Sequence, residues 1–334
     1  MKFPKRLVRA SVGGALLVPL LALTGIDAAV AAGPSRVEDS AADAVYECPM
    51  PAPEQFDARV TELATATWDK NSLGCAADLM SAAAEAAPAD VALQVQALLA
   101  SIGYISHVNL LWDFDLYGIR VPEWAARIQH AIGNGNAIDQ RLAAVPVDDP
   151  DLWSARALYK LTWPTKVADA KTVMTESRTA KALLEQAVAR NPMALGGNAL
   201  WLLARVNYDL PEFAGGDGVQ AAKLLEQAHA QTPKNVPMLR YSAYVFAQER
   251  NPAQAKTRLT EILPIEADPA DLQTMVDELK NARDLALRLK DAGLSQQLTD
   301  KRDALLKAQP QLLARKPTAA NMHGGVDPIT GKEY

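Results

Sequence analysis

Apolar residues recur along this chain at helical spacing. Phe56, Val60, Leu63, Ala64 and Thr67 fall on one helical face. The next stretch, GCAADLMSAAAEAAP, is short, alanine-rich and stopped by Pro88. ADVALQVQALLASIGYISHVNLLWDFDLYG is apolar nearly all round in its middle, which predicts a buried central helix. In PEWAARIQHAIGNG, Pro122 suits a helix start and Gly133 predicts its end. No sustained apolar–polar alternation calls for a strand, and β-branched runs are short. The predicted fold class is all-α.

The strongest pattern is internal repetition. AKALLEQAVARNP (Ala180 to Pro192) returns as AAKLLEQAHAQTP (Ala221 to Pro233), with Leu183–Ala187 matching Leu224–Ala228 at an offset of 41. A weaker copy, PAQAKTRLTEIL, maps Ala221 to Ala255 and Leu225 to Leu259 at an offset of 34. Thirty-four is the tetratricopeptide period. The excess of seven equals the length of the segment LPEFAGG. The partner helix of each pair is expected to carry bulky aromatics: Trp201 and Tyr208 in LWLLARVNYDL, then Tyr241 and Tyr244 in MLRYSAYVFAQ. Ala187, Ala228 and Ala243 are small enough to let paired helices approach. Each pair leaves an apolar face that only a neighbouring pair covers, so the units must stack as a helical-hairpin array, with a cavity or groove at its centre or a packed interior as the two open forms.

Between the first two copies stands LPEFAGGDGVQAAKLLEQA. A phosphate loop would place Lys-Ser/Thr after the glycines, but Val219 and Gln220 follow. One aspartate supplies too few hard oxygen ligands for calcium. The reading is a structural turn: Gly215 and Gly216 permit positive φ, Asp217 is an N-cap, and Gln220 completes a capping-box pattern.

The chain ends divide the rest. Lys2, Lys5, Arg6 and Arg9 precede an apolar run from Ala10 to Ile26 and an A-x-A site at Ala29–Ala31. This reads as a signal peptide over 1–31, cleaved near Ala31, with no lipoprotein cysteine after it. The expected location is the periplasm. Residues 32–53 read as an extended lead-in, 54–150 as an N-terminal helical part, 151–310 as the repeat part and 311–334 as a flexible tail. The mature chain then carries 30 basic and 38 acidic side chains, a net charge of −8. That argues against broad nucleic-acid binding and against docking on anionic membranes. Cys48 and Cys75, the only cysteines, default to a disulfide in an oxidising compartment. A metal pair lacks nearby histidine, and their spacing matches no zinc signature.

Candidate chemistry is sparse. His107, His130, His229 and His323 form no metal or H-E-x-x-H frame. His107 reads as a core histidine and His229 as structural or surface. No G-x-S-x-G motif or Cys-His pairing appears. No cofactor and no enzymatic activity are expected. LLWDFDLYG gathers Trp112, Phe114 and Tyr117 with Asp113 and Asp115, and DLWSARALYKLTWP gathers Trp153, Tyr159 and Trp163. Either set lines a cleft or plugs a helix junction. Asp113 and Asp115 point to different sides of a helix, so paired acid–base work is not implied. Candidates for groove contacts are Trp112, Tyr117, Trp163, Arg205 and Tyr208.

The order Leu210-Pro211, Gly215-Gly216-Asp217, Ala221–Ala228, Pro233-Lys234-Asn235 and Tyr241/Tyr244 resembles the T component associated with tripartite ATP-independent periplasmic transporters, the TatT family. The GYISHVNLLWDFDLYG helix resembles that family's long early helix. The resemblance runs from about Leu98 to Asp291. It implies a periplasmic array of degenerate repeats around a cavity or pore, and partnership with a periplasmic solute-binding protein or another envelope protein. It further implies handover of a lipid or other apolar ligand, or of an organic acid. Members of the family are in some cases trimers, which makes a homo-oligomer an expectation. The other open reading is a pure assembly scaffold with a packed interior.

Overall fold

The computed structural model describes residues 48–65, 70–112, 122–164, 168–268 and 272–309; for 70, 71, 107–112 and 122–127 only the backbone is described. The expected signal peptide, most of the expected lead-in, Asp113, Phe114, Asp115, Tyr117, His323 and the 311–334 segment lie outside these residues, as do the side chains of His107 and Trp112. The described residues form twelve α-helices and no strand. They are α1 (Phe56–Thr65), α2 (Lys70–Ala86), α3 (Val91–Trp112), α4 (Pro122–Ala143), α5 (Pro150–Thr162), α6 (Ala170–Arg190), α7 (Asn198–Asp209), α8 (Gly218–Gln231), α9 (Val236–Gln248), α10 (Pro252–Thr260), α11 (Leu272–Arg288) and α12 (Ala292–Ala308).

The helices pack as consecutive pairs. α5 lies on α6, α7 on α8, α9 on α10 and α11 on α12. First helices also touch across pairs, α7 to α9 and α9 to α11. Second helices reach the next first helix, α6 to α7, α8 to α9 and α10 to α11. The repeated residues make this stacking. Ala180, Ala221 and Ala255 are fully buried at matching positions, as are Leu184, Leu225 and Leu259. Each such leucine contributes about 1.5–3 kcal/mol by leaving water. The alanines beside them keep the helix axes close.

Short polar residues start most of these helices. Asp149, Asp169, Asp217, Asn235, Asn251 and Asp291 each accept a hydrogen bond from a backbone N–H in the first turn of α5, α6, α8, α9, α10 and α12. Those bonds to Thr172 and Leu294 hold the Asp169 and Asp291 carboxyls below the usual carboxylate range. α7 starts differently. Leu195, Gly196 and Gly197 all take left-handed backbone angles, and the Leu195 N–H donates to Asp151 at 2.7 Å. The Asn198 side-chain Oδ1 then accepts from Trp201 Nε1 and Asn235 Nδ2, both at 2.9 Å.

Two sequence expectations change here. α4 runs through Gly133 to Ala143. The glycine that carries a packing role is Gly135, where a Cβ would lie 2.4 Å from the Tyr159 ring. That ring is fully buried, and its hydroxyl donates to the Ile132 carbonyl at 2.8 Å. A glycine in this helix admits a tyrosine rather than ending the helix. The seven extra residues of the 41-residue offset are also not all in LPEFAGG. The link 210–217 has eight residues where 249–251 has three, and 191–197 has seven where 232–235 has four. α7 is one residue shorter than α9. Five added, three added and one removed give the seven.

The N-terminal helices join the repeats through a buried ion cluster. Arg156 on α5 meets Asp139 on α4 at 2.7 Å, and Lys160 reaches Asp139 at 3.2 Å and Glu176 on α6 at 2.9 Å. Gln94 on α3 accepts from Arg141 at 2.9 Å. The core is continuous from Phe56 to Leu298. At its start a disulfide joins Cys48 to Cys75 and ties residue 48 to α2.

Candidate functional site

The first helices α7, α9 and α11 bring together the densest group of aromatic and charged side chains. Helical spacing places Arg205, Tyr208 and Asp209 within one turn of α7, and Arg240, Tyr241 and Tyr244 within four residues on α9. Stacking then sets them against each other. The Tyr241 hydroxyl donates to Asp209 Oδ1 at 2.7 Å, and Arg205 Nε donates to Asp209 Oδ2 at 3.2 Å. The Arg205 and Arg240 guanidiniums lie 5.7 and 5.9 Å from the Tyr241 ring centre. Arg240 Nε donates to Glu278 Oε2 on α11 at 2.8 Å. Tyr244 packs edge-on to Tyr208 at 6.5 Å, and Tyr208 donates to Glu249 at 3.4 Å.

Burial sets the electrostatics. It pushes the Tyr241 hydroxyl well up from its ordinary value, reinforced by the Asp209 charge. Burial, then the Glu249 charge, pushes Tyr208 up to about 12. Both tyrosines are hydrogen-bond donors at neutral pH, not bases. Glu278 is completely buried and its carboxyl is raised by burial, opposed by Arg240. Its Oε1 has no partner among the described residues, and the Ser242 hydroxyl on α9 is likewise unpartnered.

The sequence candidates therefore sit in different places. Arg205 and Tyr208 belong to this group, Arg205 buried in its ion pair and Tyr208 half-buried. Trp163 follows α5, half-buried against the core, its N–H bonded to the Tyr159 carbonyl at 3.1 Å. Trp112 ends α3, and Tyr117 lies outside the described residues. Asp209 was missed although its i,i+4 spacing from Arg205 was a local signal. Arg240 and Glu278 had none: 38 residues separate them, and only the repeat register could pair them. On the second helices, His229 Nε2 lies 2.7 Å from Glu261, beside an Arg258 that holds both oxygens of Glu226 at 2.8 and 2.9 Å. This network staples α8 to α10.

The glycine link is held by backbone bonds. Gly215 takes φ 95°, and Asp217 accepts from the Gln220 N–H at 2.8 Å. The reciprocal half of the capping box is replaced: the Asp217 N–H donates to the Asn207 carbonyl at 2.8 Å. Arg178 and Lys181 on α6 donate to the Ala214 and Gly215 carbonyls. A Cβ on Gly216 would sit 1.8 Å from the Leu210 carbonyl oxygen. Gly216→Ala is expected to destabilise by about 1–3 kcal/mol through overpacking against backbone. An unchanged urea midpoint would show instead that the link relaxes freely.

With pairing, small-residue register and stacking in place, residues 212–279 match the family model of the tetratricopeptide repeat. The fold is tetratricopeptide-like. The matched repeat begins in the 210–217 link and ends on α11, so it spans the α9 and α11 part of the group. Proteins built from such repeats commonly bind protein partners, and their stacking generates extended binding surfaces. The chain has no match among curated proteins. Among the described residues no group of three His, Cys, Asp or Glu could hold a metal ion, and no helix is long and apolar enough to cross a membrane.

Proposed function

We propose that this protein is an exported, non-enzymatic repeat scaffold that binds a protein partner on the face formed by α7, α9 and α11. The observation that carries the reading is the tyrosine group on that face. Tyr208 and Tyr244 stay half-exposed, while the ion pairs and Tyr241 beneath them are fixed by hydrogen bonds. A rigid amphipathic aromatic surface is the composition of binding hot spots. The disulfide, the signal-like leader and the resemblance to the TatT family support a periplasmic setting. They support a solute-binding protein as partner and a transport-accessory role, with an apolar or organic-acid ligand passed between the two. The burial of Arg205 and Tyr241 favours the second reading, an assembly scaffold without a small ligand.

The test is capture by the tagged mature chain from its own periplasmic extract, beside Tyr208→Ala. The expected result is one solute-binding protein enriched by the wild type and lost in the variant, at a nearly unchanged melting temperature. If Tyr208→Ala lowers the melting temperature and leaves capture intact, Tyr208 is a core residue and the face is not the interface.

A further inference from the structure

Taking the α7–α9–α11 face as a binding surface, we propose that Arg240 is an anion-recognition site on it, taking the carboxylate of an acid with an apolar or aromatic body. Arg240 is only 13 % exposed. Its Nε is committed to Glu278 and its plane rests beside Tyr241. Among the described residues nothing accepts from Nη1 or Nη2. Those two nitrogens carry four N–H donors and form the planar fork that matches a carboxylate. The side chain is thus held on one edge and open on the other, the arrangement of a preformed site.

The surroundings of Arg240 point the same way. Two guanidiniums flank Tyr241; Arg205 pairs with Asp209 and Arg240 with Glu278, and the Asp277 charge also acts on Glu278. Asp209 is shared between Arg205 and the Tyr241 hydroxyl. Glu278 is wholly buried with one oxygen unpartnered, and burial favours its neutral form. Arg240 presents its outer N–H donors in a partly dehydrated setting, where an added anion interacts more strongly than in water. Tyr244, one helical turn on, and Tyr208 edge-on to it supply an apolar wall for the body of the acid. Such a carboxylate comes from a free organic acid or from the C-terminus of a peptide.

Calorimetric titration of the mature chain separates these sources. The probes are phenylacetate, phenylacetamide, and a tetrapeptide ending in phenylalanine with a free or amidated C-terminus. Binding of phenylacetate assigns the site to a free acid; binding of the free peptide alone assigns it to a terminus. In both cases the amides do not bind, and Arg240→Gln weakens binding roughly tenfold to a hundredfold, the loss of a charged hydrogen-bond pair. Arg190→Gln, which removes a positive charge from the exposed end of α6, leaves binding unchanged. Should Arg240→Gln fail to fold by circular dichroism, Arg240→Lys keeps the charge and removes the fork, and is expected to weaken binding measurably. No binding of any probe by the wild type, equal binding of acids and amides, or unchanged affinity in the folded Arg240 variant overturns the proposal. Partner capture that depends on Tyr208 while no acid binds would leave the scaffold reading standing and remove the carboxylate site alone.

Discussion

Trp201→Ala is expected to lower the unfolding free energy by about 3–5 kcal/mol, the range for removing a buried aromatic ring. Trp201 is among the largest fully buried side chains. It stands on α7, which packs against α6, α8 and α9. Its ring lies 6.3 Å from Tyr241, and its indole N–H donates to Asn198. Truncation opens a cavity at the junction of two repeats and removes one of the two donors to Asn198 Oδ1. The other, Asn235, also caps α9, so the damage spreads to the next pair. Trp201→Phe separates the contributions: it keeps most of the packing and loses the hydrogen bond, at about 1 kcal/mol. Urea unfolding of the three proteins checks the order. Equal midpoints for Trp201→Ala and wild type would mean that the ring is not what holds these repeats together.

Reduction of the Cys48–Cys75 bond, or Cys48→Ser with Cys75→Ser, is expected to cost about 3–4 kcal/mol, from the entropy of opening a loop of 27 residues' separation. The effect should be local. In a stacked array each pair contacts mainly its neighbours, so a fault at one end loosens that end first. Hydrogen exchange of the reduced protein should rise in α1 and α2 while α8, α9 and α10 keep their protection. A uniform rise would show that the array unfolds as a single unit. A disulfide is compatible with an exported protein, because such bonds persist in oxidising surroundings.

How far the chain could be read before folding depended on the range of the interaction. Helices were legible because their apolar spacing is local, and the repeat was legible because Leu184, Leu225 and Leu259 occupy one register and meet one environment. Asp217 as a cap was legible for the same reason, since its acceptor reaches only three residues on. The Gly133 expectation failed because a glycine inside a helix has two meanings, a stop or a close approach. Gly133 is neither, since a Cβ there would meet nothing within 4 Å, and the close approach to Tyr159 belongs to Gly135, two residues on. The placement of all seven extra residues in LPEFAGG failed because an offset counts residues without saying which link holds them. Arg205 and Tyr208 could be nominated from their helix alone. Arg240 and Glu278 could not, because their pairing exists only once α9 and α11 are stacked.

That pairing has a mechanical meaning. A stack of helix pairs is a spring whose compliance lies at the joints between pairs. Opening α7 from α9 separates the Tyr241 hydroxyl from Asp209. Opening α9 from α11 strips Arg240 from a carboxyl that has no access to water, and a broken buried pair is among the costlier defects a protein can sustain. The coil is therefore stiff across both joints. A molecule arriving there meets a surface already set to its curvature and gives up little of its binding energy to bending the spring.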